Sequence, residues 1–235
     1  MSGSTRRAFL AGGLRAALLA GGAGIACDSR RPHAGFLGAM ERANERFQRA
    51  LFDPNRLAPE LGPEDQTDPA AFPKYKIGPV YPSAPAGWAL AVGGLVRRPQ
   101  ALSLDQLHQL PRTALRVRHH CVEGWTAVAS WQGVRLSEIA RVVGADPRAR
   151  YVEFGSFESG YFSSWDLESV LHPQTIVAYG MNGEALLREH GAPARLYSAV
   201  KLGYKMVKYL LYVNFLPERT GGYWEDRGYE WFAGV

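Results

Sequence analysis

Leu115-Arg116-Val117-Arg118-His119-His120-Cys121-Val122-Glu123-Gly124-Trp125 is the stretch on which the reading of this chain turns. Leu115 and Val117 alternate with Arg116 and Arg118, the period of a half-buried strand. The pattern predicts a strand with its arginines on an exposed face, delivering His119, His120 and Cys121 at its end. Strand ends and the loops after them are where sites are usually built. Taken alone, His119, His120, Cys121 and Glu123 are potential metal ligands. No second cysteine pair and no histidine at ligand spacing accompanies them, which speaks against zinc. A cysteine nucleophile served by a histidine base stays open, because flanking cations would favour the reactive thiolate.

Outward from this stretch the chain reads as one α+β domain, mostly β, since 235 residues leave no room for two full domains and a linker. Upstream, Trp88, Leu90 and Val92 alternate with Ala89 and Ala91 before Gly93-Gly94, a strand followed by hairpin chemistry. Ser103 can cap a short helix over Leu104, Leu107 and Leu110 that stops at Pro111. Downstream, Leu136, Ile139, Ala140 and Val143 stand at helical spacing before Gly144, a core-facing helix with its C-terminal stop. Strands are predicted over Tyr151–Phe157 and Thr175–Tyr179, the latter followed by the turn residues Asn182-Gly183, and a long one over Met206–Phe215. A short helix is predicted over Trp165–Leu171, begun by Ser163 or Ser164. Near the N-terminus Met40, Ala43, Phe47, Ala50 and Leu51 give a helix from Gly38 to Leu51, an arm that packs on the main domain.

Two segments carry a resemblance. Cys121-Val122-Glu123-Gly124-Trp125, with Trp131-Gln132-Gly133-Val134 and the Leu136 helix behind it, looks like the molybdenum-cysteine segment of the sulfite-oxidase-like family. His190-Gly191-Ala192-Pro193-Ala194-Arg195-Leu196, then Gly203-Tyr204-Lys205-Met206-Val207-Lys208-Tyr209-Leu210, resembles that family's pterin- and phosphate-binding stretch. Two motifs about 70 residues apart in the family's order are far more specific than either alone. The resemblance runs from about Trp88 to the end and implies a sulfite-oxidase-type fold binding molybdenum-molybdopterin.

By that resemblance Cys121 is the catalytic residue and the soft thiolate ligand of the metal. Arg195 and Lys208 meet the phosphate or ring, His190 bonds the pterin, and Lys205, Met206 and Val207 belong to the same binding stretch. Ser156 falls where relatives place a small hydroxyl. The first contacts fall around Tyr75 and Lys76, where this sequence departs from the Asn-containing pattern of periplasmic methionine-sulfoxide reductases. Glu123, Trp125 and Trp131 are candidates for the substrate funnel; Trp125 and Trp131 serve equally as core aromatics, and core is the better reading for Trp131. The tail Gly221–Trp231, rich in aromatics and charges, packs by default and is placed to shape the mouth of the site.

The resemblance implies oxygen-atom transfer, with an S-oxide or N-oxide such as methionine sulfoxide, small or protein-bound, as the substrate to be reduced. Sulfite oxidation is the runner-up within the enzyme class, and a metal-free binding module of the same fold is the answer from another class. The immunoglobulin-like and haem domains of sulfite oxidases find no counterpart here, which favours the reductase-like branch, a monomer, and a separate membrane haem protein as electron partner.

Residues 1–26 pair Arg6-Arg7 with a modest apolar run interrupted by Arg15, the pattern of a twin-arginine export signal leading to the periplasm. That route carries folded proteins, which hints at a cofactor acquired beforehand. Cys27 follows the small residues Gly24-Ile25-Ala26, so lipid modification and incidental placement both stay open, and a disulfide with Cys121 is the weaker option. Residues 27–70 then form a tether and arm, and 71–235 the cofactor-binding domain. Three of the five net positive charges belong to the leader, leaving +2; with no basic cluster elsewhere, a nucleic-acid partner is not expected.

Overall fold

The computed structural model describes residues 35–235; the segment predicted to be an export signal and Cys27 lie outside them. Helix α1 (Gly35–Leu51) leads to an extended arm, after which the chain builds two sheets. One has the order β2-β1-β10-β5-β6, from β1 (Ala89–Gly94), β2 (Gln100–Ser103), β5 (Tyr151–Ser156), β6 (Phe162–Asp166) and β10 (Leu210–Leu216). The other runs β3-β4-β7-β8, from β3 (Arg112–His120), β4 (Thr126–Arg135), β7 (Thr175–Met181) and β8 (Glu184–Ala185), with β9 (Arg195–Ser198) also pairing β7. Every pairing is antiparallel except β1 with β10. Helices α2 (Leu104–Gln109), α3 (Leu136–Val143) and α4 (Leu167–Leu171) complete the α+β domain.

Both sheets contribute to one core: Leu90, Phe154 and Val213 from the first join Val117, Trp131 and Ile176 from the second. Local chemistry places several elements as expected. Ser103 Oγ accepts from Gln106 N at the start of α2, and the Gln106 side chain answers by accepting from Ser103 N. Gly144 ends α3 at φ +66°. Asn182 and Gly183, at φ +55° and +89°, make the two-residue turn between β7 and β8.

Three expectations are corrected. Trp165 does not begin a helix: it is buried in β6, opposite Val152. Ser163 and Ser164 look like caps but spend their hydroxyls on Glu225 and on the Thr220 and Gly221 carbonyls of the tail, so Asp166 caps α4 instead, accepting from Ser169 N at 2.8 Å. The strand predicted from Met206 starts only at Leu210, because a 3-10 turn at Gly203–Lys205 and a positive φ of +56° at Tyr209 break the extended run. Helix α1 forms, but Met40, Phe47 and Leu51 are 54%, 64% and 68% exposed, so its apolar positions do not face the domain.

The ten-residue β4 went unrecognised in the sequence. It pairs β3 from Arg112↔Val134 to His120↔Thr126 and then β7 on its other edge. Gly133 permits that crowding: a Cβ there would lie 2.1 Å from the Val177 carbonyl oxygen. The arm follows the same hairpin, with Leu61 N donating to Arg116 O and Thr67 N to Val128 O. It ends by inserting Phe72, 4% exposed, among His119, Trp131 and His190.

Candidate active site

The β3–β4 hairpin closes through residues 121–125. Cys121 N donates to Trp125 O (3.0 Å), Gly124 N to Cys121 O (3.1 Å), and Gly124 takes φ +90°, a tight reversal that glycine permits at little cost. The turn leaves Cys121 half-buried on the wall of a cavity of about 160 Å³. Its Sγ lies 3.6 Å from Glu123 Oε2, which also accepts from Trp125 Nε1 at 2.9 Å. Burial raises the thiol pKa, and the Glu123 carboxylate adds to the rise. A nucleophilic cysteine needs the opposite environment, a cation or base beside the sulfur.

His119, one face of β3 inward from the loop, is 6% exposed between Phe72, Trp125 and Tyr197. Burial depresses its pKa to about 3, so the ring is neutral, and its Nδ1 has no partner. Gly203 backs directly onto it: a Cβ at that position would stand 2.6 Å from His119 Nε2. Among the described residues no three His, Cys, Asp or Glu side chains gather as a metal-binding group, and no helix is long and apolar enough to cross a membrane.

The same cavity has a cationic end. Arg195, the first residue of β9, is 5% exposed; it donates to His190 O (3.0 Å) and Leu196 O (3.4 Å) and lies 5.0 Å from the Trp131 ring. Burial pulls its pKa down to about 10. Lys208 donates to two backbone carbonyls, Glu189 O at 3.0 Å and Tyr75 O; burial, then repulsion from Arg195, takes it to about 7. His190 is lowered to about 4 by the same two causes. Glu189 is engaged with Lys74 at 2.7 Å, and among the described residues neither Arg195 nor Lys208 forms a salt bridge. Buried cations without a counter-ion are costly, so the array is arranged for an anion brought from outside.

Of the residues singled out in the sequence, Tyr75, Lys76, Cys121, His190, Arg195, Met206 and Lys208 line this cavity, as do Glu123 and Trp125. Three side chains do not. Lys205 is fully buried and points into the tail, to Glu225 Oε1 (2.5 Å) and Ser164 O (2.9 Å). Val207 is core. Ser156 accepts from Glu158 N (2.9 Å) and donates to Tyr209 O (3.3 Å), closing a local turn. Sequence reasoning missed Phe72 and Tyr161 on the wall; Tyr204 comes from the binding stretch already quoted, and Trp224 and Tyr229, also there, from the aromatic tail already marked as a shaper of the mouth.

Residues 77–224 match the family described as the oxidoreductase molybdopterin binding domain. The chain belongs to that family. It is a molybdopterin-dependent oxidoreductase of the sulfite-oxidase-like class. Over 198 residues it is 42% identical to a chain of Azospira oryzae provisionally named protein-methionine-sulfoxide reductase subunit YedZ1, covering 83% of this chain and 75% of that one. It is 35% identical to the uncharacterized oxidoreductase YuiH of Bacillus subtilis, over 71% of this chain and 85% of the relative. The catalytic subunit MsrP of protein-methionine-sulfoxide reductase from Xanthomonas axonopodis pv. citri is 31% identical over 69% of this chain, which spans 53% of that relative's length. The crystal structure of the sulfane dehydrogenase SoxCD from Paracoccus pantotrophus aligns with TM-score 0.53 at 24% identity, over 56% of this chain and 38% of that one, a likeness of fold alone.

The molybdopterin family's cofactor fits what the cavity offers. Arg195 and Lys208 form no salt bridge of their own, as a phosphate site requires. His119 Nδ1 is an orphaned polar atom on the wall. Gly203 on the same wall makes room for the His119 ring, and Cys121 offers one soft sulfur to the same cavity.

Proposed function

We propose that this chain is the catalytic unit of an exported reductase of S-oxides, methionine sulfoxide among them, with Cys121 ligating molybdenum. One observation carries the reading: a half-buried thiol held at a hairpin tip shares a single cavity with Arg195 and Lys208, which have no salt-bridge partner among the described residues. When bound, the molybdenum cofactor supplies two-electron oxygen-atom transfer.

The rest of the chemistry is the chain's own. Cys121 gives up its thiol proton to serve as a soft ligand. Arg195 and Lys208 hold the phosphate, Arg195 as a planar donor pair and Lys208 as a point charge. Tyr75, Trp224 and Tyr229 at the wall exclude water and suit a thioether-like side chain, since sulfur packs favourably against aromatic rings. Reduction of a sulfoxide consumes two electrons and two protons and releases thioether and water, so a separate reductant is required; a membrane haem protein is the partner proposed. Glu123 beside Cys121 and Glu158 on the same wall would repel a sulfite dianion, which favours the S-oxide over the sulfite reading. The metal-free binding module is disfavoured because the chain belongs to the molybdopterin-binding oxidoreductase family and keeps Cys121 on the cavity wall beside Arg195 and Lys208.

Export rests on Arg6-Arg7 and the apolar run behind it. Monomeric working and lipid attachment of Cys27 belong to the same proposal. The deciding experiment compares the mature protein with Cys121→Ser by elemental mass spectrometry, pterin fluorescence after oxidative release, and methionine-sulfoxide reduction with a reduced dye. The expected result is near one molybdenum per wild-type chain, with metal and turnover lost in the variant. Equal molybdenum in both would remove Cys121 from the metal, and zinc or no metal in the wild type would overturn the reading.

A further inference from the structure

His119 is buried with nothing inside the fold to bond it. It stands outside both segments that carry the family resemblance, is 6% exposed, and packs against the rings of Phe72, Trp125 and Tyr197. Such a box suits an apolar side chain, because a buried polar group without its hydrogen bond is costly. Yet Nδ1 is enclosed and has no partner, and Nε2 looks onto Gly203, which has no side chain to meet it. Among the described residues no carboxylate pairs with the ring.

Its place in the cavity says what the ring could serve. His119 and Cys121, two residues apart at the end of β3, share one face of the strand; both line the cavity, and His120 between them does not. From His119 a row of rings leads to the cationic end. Its imidazole stacks on Tyr197 at 6.0 Å, Tyr197 stacks on Trp131 at 4.2 Å, and Arg195 lies 5.0 Å from the Trp131 ring. Phe72 joins the same two ends, 5.9 Å from His119 and 5.5 Å from His190. The imidazole therefore stands between the sulfur and the cations, where a molecule with a metal at one end and a phosphate at the other has its ring system.

The proton can be placed as well. With Arg195 on the same wall, a second buried charge would be costly, so the ring keeps one proton. A buried N–H without a partner is rarer than a buried acceptor without one. The enclosed Nδ1 is thus the bare nitrogen, and Nε2, on the edge that adjoins Gly203 at the cavity wall, carries the hydrogen.

We infer that His119 is a further cofactor-binding residue, its Nε2–H donating to an acceptor on the pterin ring between Cys121 and the Arg195–Lys208 pair. The inference rests on the cofactor occupying this cavity.

The test compares the mature holoprotein with His119→Leu and His119→Gln, following pterin by fluorescence after oxidative release, and molybdenum by elemental mass spectrometry, at intervals after dilution. Leucine fills the apolar box and cannot donate, whereas the glutamine amide reaches about as far as Nε2 and can. Pterin is expected to leave His119→Leu about tenfold faster than wild type, because an acceptor on the cofactor loses its partner, and to leave His119→Gln more slowly than it leaves His119→Leu. A packing role would order the two variants the other way, since an aromatic box favours leucine over a buried amide. Retention by His119→Leu equal to wild type, faster loss from His119→Gln than from His119→Leu, or a leucine variant that does not fold each overturns the inference while the wild type stays loaded. A wild type holding neither pterin nor molybdenum overturns instead the cofactor's place in this cavity, and the inference with it.

Discussion

Arg195→Met should move stability and cofactor retention in opposite directions. The guanidinium is 5% exposed, has no salt-bridge partner among the described residues, and is pulled down to about 10 by burial. At pH 7 it is still charged, so the folded protein bears the penalty: the displacement from the ordinary arginine value corresponds to about 3 kcal/mol against the charged form. Methionine removes that penalty but also the contact with Trp131 at 5.0 Å and the bond to His190 O, together roughly 1–2 kcal/mol. The balance is a gain of about 1–2 kcal/mol, or about 2–8 °C in melting temperature for a domain of this size.

The assay uses two preparations. From a host unable to make molybdopterin, the cofactor-free variant should melt above the cofactor-free wild type by calorimetry. From a competent host, the variant should carry a small fraction of the wild-type molybdenum and lose the stabilisation that a bound ligand confers. A cofactor-free variant that melts several degrees lower would mean that the protein itself satisfies Arg195, and unchanged molybdenum would remove it from the phosphate; either result refutes the reasoning.

Gly203→Ala places a Cβ 2.6 Å from His119 Nε2, and the ring cannot retreat between Phe72, Trp125 and Tyr197; a loss of about 1–3 kcal/mol is expected, and a melting temperature within a degree of wild type would contradict it. Sulfate binding to the cofactor-free protein should weaken about tenfold between pH 6 and 8 by calorimetry, because Lys208 at about 7 loses its proton as pH rises through that value while His190 at about 4 is neutral throughout; a flat profile would exclude Lys208 from the anion site. Glu225→Gln leaves the fully buried Lys205 ammonium without its carboxylate, a loss of about 3–5 kcal/mol visible in denaturant unfolding, whereas a change under 1 kcal/mol would show that the pair is dispensable.

What could be read from the sequence was what neighbouring residues decide. The Leu115–Val117 alternation, the Ser103 cap and the Gly144 stop are all settled within a few positions, so the strand that presents Cys121 was legible before any contact was known, whereas its hairpin partner β4 was not. Ser163, Ser164 and Lys205 misled because their partners, Thr220, Gly221 and Glu225, arrive from the tail. Nothing local distinguishes a serine awaiting a helix from one awaiting a carbonyl 56 residues on. The periodicity of α1 was legible too, but periodicity identifies a face and not its direction: the same stripe reads alike whether it is buried or exposed.

Lys201, Lys205 and Lys208 share one loop and divide its work by burial and partner. Lys201 Nζ is held by Asp166 Oδ2 (3.1 Å) and Phe232 O (2.7 Å), Lys205 by Glu225 and Ser164 O; both carry a carboxylate within reach, and both fasten the loop from beneath to β6 and the tail. Lys208 is bonded to two carbonyls and, among the described residues, to no carboxylate. A cation that already owns an anion inside the fold has little left to offer a phosphate, whereas one that meets only carbonyl dipoles keeps most of its charge uncompensated. The sequence shows three equivalent lysines at spacings of four and three; it is the placement of Asp166 and Glu225 that makes two of them anchors and leaves the third, with Arg195, facing the cavity.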